Sequence, residues 1–441
     1  MKHARPTSLS IRPSACPGLL RIVQAKDGGI CRIKLPCGRL SSVQARAIAT
    51  AASAHAGGVI EATNRSNLQI RGVKPGAEQA LIDALLAAGL GAGSPGADDV
   101  RNLMVSPLAG LDASALVDSS PLAGQILALL QDKAHFHALS PKFALLLDGG
   151  ESMAMLEHPH DLWLSAMGKG DHALFAFGLA GCPPRSADDT PALAAVPRDQ
   201  VPALVEALLE LFLELARPEQ TRMRHLLAEH PEGDLLLRLQ QRLDVPLLPV
   251  GNWHRPAPQP FAHLGIRDGH HVGGAPALGR LDSTQLAALA ALADLADGQG
   301  DGNLRLTPWQ SVLLPNARDA EFVLNAMRHL GLATEASEPL ARLIACTGSA
   351  GCAKGLADTK ADALLLAPLL PPGAVVHLSG CPRSCAAAHV APFTLLARGP
   401  GRYDLYQRGG DGFGQLLARD ISLQEAGERL ASPPDTWSST P

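Results

Sequence analysis

Ala345-Cys346-Thr347-Gly348-Ser349-Ala350-Gly351-Cys352 and Ser379-Gly380-Cys381-Pro382-Arg383-Ser384-Cys385 set four cysteines in a Cys-x5-Cys and Cys-x3-Cys pattern. Thiolate sulfur is the soft ligand of iron–sulfur clusters, and a cubane cluster takes four. The small residues between the cysteines matter too. A loop wrapping a cluster brings its backbone close to metal-bound sulfur, which Gly348, Gly351 and Gly380 permit without a Cβ in the way. Four buried thiols or a zinc site are the alternatives. Zinc sites usually pair cysteines at x2 to x4 spacing, so x5 followed by x3 favours a [4Fe–4S] cluster on Cys346, Cys352, Cys381 and Cys385.

Upstream of this pattern the chain repeats itself. Gly38-Arg39-Leu40-Ser41-Ser42-Val43-Gln44 returns as Gly279-Arg280-Leu281-Asp282-Ser283-Thr284-Gln285, 241 residues later. In each copy an oxygen side chain, Ser41 or Asp282, precedes a glutamine by three positions, which reads as a helix N-terminus with a capping box. Alanine-rich helices are expected over Val43 to His55 and Thr284 to Ala296. Strand-like runs follow, Gly58 to Ile70 and Gly302 to Leu314, with Thr63 and Thr307 at equivalent points. A period this long is a duplication of domains, not a solenoid.

Each copy reads as a strand–helix–strand half-domain, and the two are expected to pair because neither buries a full core alone. The expected organisation is a half-domain over 10–90, an α+β domain over 100–250, a second half-domain over 258–335, a second α+β domain with the cysteines over 339–431, and a disordered tail over 432–441. Within the first α+β domain, Lys142 to Leu147 reads as a strand and Val201 to Ala216 as an amphipathic helix.

Composition sets the outer limits. The chain has 441 residues, 46% of them apolar, and a formal net charge of −4, so its overall field calls for neither nucleic acid nor a membrane surface. No apolar run approaches the length of a membrane span. The N-terminus lacks the apolar core of a secretory signal, so a reducing, cytoplasmic setting is expected, and the remaining Cys16, Cys31, Cys37 and Cys182 read as small packed residues.

The half-domain repeat, the cysteine pattern and Thr359-Lys360 together resemble the nitrite/sulfite reductase superfamily, from about Cys16 to Tyr406. The resemblance implies an α+β fold of duplicated architecture: two ferredoxin-like half-domains that pair, and two larger α+β domains that bind cluster and tetrapyrrole. It implies a [4Fe–4S] cluster on the four cysteines, the last of which, Cys385, bridges to the iron of sirohaem in the reductases. Thr63-Asn64-Arg65 resembles the first of the family's oxyanion-binding stretches, Arg101-Asn102 the second and Leu139-Ser140-Pro141-Lys142-Phe143 the third. Arg65, Arg101, Lys142, Thr63, Asn67 and Arg71 are thereby substrate-binding candidates, with Arg12 and Arg32 behind them. The family's further lysine, two residues after the one matched by Lys142, is Ala144 here.

That departure removes a cation from a ring that crowds a small anion, where charge develops on oxygen as its bonds break. The opening Arg12-Pro13-Ser14-Ala15-Cys16-Pro17-Gly18-Leu19 is similar to the precorrin-3B synthases, the oxygen-dependent branch of the superfamily in aerobic cobalamin biosynthesis. This likeness implies a tetrapyrrole, precorrin-3A, as substrate with O2, and no sirohaem. It further implies a mononuclear non-haem iron beside the cluster and NADH as indirect electron donor through a separate reductase. Sirohaem and precorrin-3A both carry many carboxylates, which guanidinium groups bind in bidentate fashion. A sirohaem-dependent sulfite or nitrite reductase is the alternative. A cluster protein that only relays electrons would not need such a basic pocket.

Two further signals carry less. Gly91-Ala92-Gly93-Ser94-Pro95-Gly96 matches a dinucleotide-binding pattern, but a helix precedes it where a strand is required. Among the histidines, His158, His160, His270 and His271 could be searched for iron ligands, and His389, four residues after the last cysteine, is the candidate nearest the cluster loop.

Overall fold

The computed structural model describes residues 16–267, 271–296, 303–409 and 412–432. Arg12, His270 and all of the expected tail except Ser432 lie outside the described residues. The described residues group into two compact units. One contains Ile33–Gly38 and Leu90–Pro260, and the other contains Ile22–Arg32, Arg39–Gly89 and the chain from Phe261 on.

In the second unit each repeat forms an antiparallel sheet of five strands, and each sheet takes its last strand from the other repeat. Strands Val23–Ala25, Gly28–Ile33, Leu68–Val73 and Val59–Ala62 are completed by Arg280–Asp282, with Leu281 opposite Ile60. Strands Gly265–Arg267, His271–Gly274, Val312–Pro315 and Asn303–Leu306 are completed by Arg39–Ser41, with Leu304 opposite Leu40. The helices Ser42–His55 and Ser283–Ala296 follow directly and pack on each other. Their buried faces are built from alanine and a few larger residues, such as Ala45, Ile48, Ala49, Leu289 and Ala290, so the backbones approach closely.

Both helix starts close as capping boxes. Ser41 Oγ accepts the Gln44 N–H at 3.2 Å while Gln44 Oε1 accepts the Ser41 N–H at 3.2 Å. Asp282 and Gln285 repeat the exchange at 2.7 and 3.0 Å. The strand-like run after each helix is interrupted by a turn, so the single strand read from the sequence is a hairpin. Thr63 Oγ1 accepts the N–H groups of Arg65 and Asn67, Thr63 N–H reaches the Asn67 carbonyl, and Ser66 takes φ 55°. Thr307 does the same for Trp309 and Ser311, with Gln310 at φ 61°. A threonine hydroxyl that caps two backbone donors competes with the ladder and ends the strand.

The larger domain of the first unit orders its strands Leu103–Val105, Leu145–Asp148, His160–Met167, Leu174–Gly181 and Ala194–Pro197, the first three parallel and the rest antiparallel. Helices Ser120–Asp132 and Val201–Leu215 bury Ile126, Leu130, Leu208 and Phe212, and Phe143 meets Phe212 at 4.7 Å between ring centroids. The expected strand from Lys142 begins three residues late. Phe143 N–H closes a turn on the Ser140 carbonyl and Ala144 N–H is taken by the Asp161 carboxylate, so neither joins the ladder.

The cysteine-bearing domain has the same plan. Leu343–Ala345, Val376–Ser379 and Phe393–Gly399 run parallel, then Arg402–Gln407 and Gln415–Ile421 antiparallel. The duplication therefore extends beyond the half-domains. By sheet register Ser106 follows Val105 as Cys346 follows Ala345, and Gly149 occupies the place of Gly380. Among the described residues no helix is long and apolar enough to cross a membrane.

Candidate metal centre

The four cysteines come from two loops at the ends of adjacent parallel strands, Leu343–Ala345 and Val376–Ser379. The loops are bound to each other: Gly380 N–H donates to Cys346 Sγ at 3.2 Å and Leu356 N–H to the Gly380 carbonyl at 2.9 Å. Thr359 Oγ1 donates to the Cys346 carbonyl at 2.7 Å and lies 3.4 Å from Cys346 Sγ. Cys352 N–H returns to the Gly348 carbonyl at 2.9 Å.

Glycine is required where these loops press together. Gly348 has φ 65°, and a Cβ there would stand 2.5 Å from the Ala357 carbonyl oxygen and the Thr359 nitrogen. A Cβ on Gly355 would meet the Gly348 carbonyl carbon at 2.5 Å, and one on Gly380 would sit 3.4 Å from Cys346 Sγ. Gly355 had no signal in the sequence beyond being one more glycine in a loop.

The thiols act on one another electrostatically. Burial first, then the charges of Cys381, Cys346 and Cys352, push the Cys385 thiol above its ordinary pKa. Among the described residues no group of three or more histidine, cysteine or carboxylate side chains is preformed around a single metal position. Four thiols on two loops tied to each other, in the Cys-x5-Cys and Cys-x3-Cys spacing, suit the ligand set of a [4Fe–4S] cluster. His158, His160 and His271 are buried, and His271 Nε2 is 3.0 Å from the Ala262 carbonyl. His389 is half-buried beside His377, whose pKa burial and then His389 lower to about 4.

The substrate-binding candidates fall in both units. In the second, Arg65 is half-buried at the hairpin tip made by Thr63 and Asn67. Its neighbour Asn64 donates to the carbonyls of Cys385 and Ala386 at 3.3 and 3.1 Å, a direct tie to the cysteine loop that the motif match alone did not reveal. Arg71 is buried, with Nε 2.8 Å and Nη2 2.9 Å from the Asp27 carboxylate, and Nη2 also donates to the Gly351 carbonyl at 3.3 Å. Arg32 donates to Gln69 at 3.3 Å.

In the first unit, Arg101 is buried against Asp98 at 2.8 Å. Asp98 also accepts the Leu19 N–H at 3.0 Å, and a Cβ on Gly18 would stand 2.8 Å from its Oδ2. The Cys16-to-Leu19 stretch is thus docked on the carboxylate that Arg101 neutralises. Asn102 donates to the carbonyls of Asp99, Pro141 and Phe143 at 2.9, 2.9 and 3.2 Å, holding the loop on which Lys142 is exposed. Ala144 is buried, so no cation stands at its position. Gly96 of the dinucleotide-like stretch lies in the helix Pro95–Val100, capped by Ser94, with no strand before it.

The described half-domains coincide with a known family. The nitrite/sulfite reductase ferredoxin-like half domain matches residues 22–88 and 265–323, and the nitrite and sulphite reductase 4Fe-4S domain matches residues 96–246. The latter match covers the first larger domain, whereas the cysteines belong to its duplicate. The chain is 32% identical over 400 residues to the chloroplastic ferredoxin–nitrite reductase of Zea mays, covering 83% of this chain and 68% of that protein. It is 30% identical over 458 residues to the precorrin-3B synthase of Sinorhizobium sp, covering 97% of this chain and 93% of that protein. In fold it is similar to the NirA protein of Mycobacterium tuberculosis, with a TM-score of 0.72 at 23% identity over 91% of this chain and 79% of that one.

Proposed function

This chain belongs to the nitrite/sulfite reductase superfamily, an iron–sulfur oxidoreductase family, and from that premise we propose that it is a precorrin-3B synthase acting in the cytoplasm. The observation that carries this reading is the near end-to-end likeness to the Sinorhizobium enzyme, 97% of this chain against 93% of that one. The likeness to the Zea mays nitrite reductase spans only 68% of the reductase. Buried Ala144 in place of a family lysine supports the same reading, because a small anion loses one of the charges that would crowd it.

In this reading precorrin-3A is hydroxylated at a meso carbon and an acetate side chain closes onto the macrocycle as a lactone. One atom of dioxygen enters the product and the other leaves as water, with two electrons and two protons supplied by a donor protein that draws on NADH. Cys346, Cys352, Cys381 and Cys385 hold the [4Fe–4S] cluster, which supplies single-electron transfer when bound. Arg65 and the exposed Lys142 are the cations offered to substrate carboxylates. Arg71 and Arg101 are turned onto Asp27 and Asp98, and Asn102 holds the loop that carries Lys142. Thr63 and Asn67 shape the Arg65 turn. His389 takes a supporting place beside the cysteine loop.

The decisive experiment is the absorption spectrum of the purified protein followed by turnover with labelled dioxygen. A synthase shows the broad absorption of an iron–sulfur protein, yields no haem to acid–acetone, and places one labelled oxygen atom in the hydroxylated lactone. A second reading, a sirohaem-dependent nitrite reductase, is favoured by the 32% identity to the Zea mays enzyme and 30% to that of Synechococcus elongatus. Stoichiometric sirohaem with nitrite or sulfite reduction would establish it instead.

A further inference from the structure

The loop between Cys346 and Cys352 is held by residues far from it in sequence. The Gly351 carbonyl accepts from Lys26 N–H and from Arg71 Nη2, both at 3.3 Å, and the Ser349 carbonyl accepts from Lys26 Nζ at 2.7 Å. Gly351 itself has no room for a side chain, since a Cβ would lie 2.6 Å from Arg71 Nη2 and 2.7 Å from Asp27 Oδ2. Thr347 Oγ1 donates to Glu61 Oε2 at 3.4 Å.

Glu61 is the hub. This buried carboxylate accepts from Arg280 at 2.8 Å and Gln69 at 2.8 Å, with Lys360 Nζ at 3.6 Å and Arg71 Nη1 at 3.8 Å. Burial alone would raise its pKa, but Lys360, Arg71 and Arg280 bring it down to about 2. Lys360 is also buried and donates to the Leu278 carbonyl at 2.5 Å. It follows Thr359, whose hydroxyl contacts Cys346 Sγ. With Asp27 on Arg71, the Glu61 network sets three cations against two anions, and Lys26 adds a further cation on the cysteine loop.

A surplus cation fixed in a low-dielectric interior favours whichever neighbouring state is more negative. Cluster potentials respond to such charges and to the hydrogen bonds around the ligands. We propose that Lys360, locked in place by Glu61, is a positioning residue that stabilises the reduced form of the cluster and couples its loop to both half-domains. This rests on the four cysteines being the [4Fe–4S] ligands, so the test separates the two claims.

The full chain is purified without oxygen, assayed for iron and sulfide, and titrated under redox control with the reduced-cluster resonance as readout. Lys360→Met keeps its iron but shifts the reduction equilibrium roughly tenfold toward the oxidised form, about 59 mV for one electron. Lys360→Arg restores the wild-type midpoint. An unchanged midpoint in a fully loaded Lys360→Met protein, or failure of arginine to restore it, overturns the proposal. Should Lys360→Met not accumulate, Lys360→Gln carries the test, because it removes the charge while keeping a donor for the Leu278 carbonyl. A midpoint unchanged there overturns the proposal equally. Absence of iron and sulfide from the wild-type protein would sink the cluster assignment instead.

Discussion

Glu151 in the first unit makes a prediction that needs no cofactor. Its carboxylate is buried next to Asp148, accepts the Ser119 hydroxyl at 2.7 Å and accepts the Gly149 N–H at 2.8 Å. Asp148 is held by Arg255 Nε at 2.8 Å, so the cation is committed to the neighbour and not to Glu151. Burial first and then the Asp148 charge push Glu151 up to about 7. A carboxyl whose folded pKa lies above its unfolded value lends its full stability below pH 4.5 and loses it as pH rises through about 7. The interval corresponds to about 3 kcal/mol at 1.36 kcal/mol per unit. Glu151→Gln removes the titration while its amide can serve the same partners, oxygen to Gly149 N–H and nitrogen to the Ser119 oxygen. Urea unfolding of both proteins at pH 5 and pH 8 reads the effect. The variant is within about 1 kcal/mol of wild type at pH 5, since it trades one neutral polar group for another. It gains up to about 3 kcal/mol on wild type at pH 8. Parallel stability curves for the two proteins across that range would refute an uncompensated buried carboxyl.

Other expectations concern the cysteine loops and the basic residues. Gly348→Ala introduces a Cβ at φ 65° and 2.5 Å from two backbone atoms, so iron and sulfide content should fall steeply while Gly399→Ala, with open space around it and no positive φ, retains them. Cys352→Ser should lose the cluster, and Cys182→Ser, in the other unit, should keep it; full iron loading in the first would dismiss the ligand set. Arg65→Ala should weaken binding of a carboxylate-rich tetrapyrrole by about 1.5–3 kcal/mol, the value of a charged hydrogen bond. Arg402→Ala, exposed and paired to Asp420, serves as control in the same titration.

Much of this is legible in the sequence. Capping boxes are written in four consecutive residues, so Ser41 to Gln44 and Asp282 to Gln285 announced both helices and the repeat that contains them. The cysteine spacing announced the two loops that meet at Cys346 and Gly380 for the same reason, being local chemistry. Strand exchange between the repeats was not legible, because a three-residue strand such as Arg39–Ser41 carries no mark of a partner far along the chain. The two larger domains were expected from the resemblance, but their equivalence residue by residue was not, since Ser106 replaces Cys346 and only backbone register preserves it. Arginines were the hardest. Arg101 sits in a motif that resembles an anion site and Arg71 was a candidate carboxylate partner, but an arginine facing a substrate and one facing Asp27 or Asp98 read alike in sequence. Hydrogen-bond partners distant in sequence decide between them.

The exchanged strands also bear on how the protein is made. Glu61 waits for Arg280, which emerges 219 residues later, before its sheet has a fifth strand. At about 5–20 residues per second, synthesis leaves that edge open for roughly ten to forty seconds. An open edge is a template for pairing with another chain, so the nascent N-terminal half is the stage most exposed to aggregation and to capture by holding chaperones. The same interlock means that a gene split between the repeats would yield two fragments, each missing a strand that only the other can return.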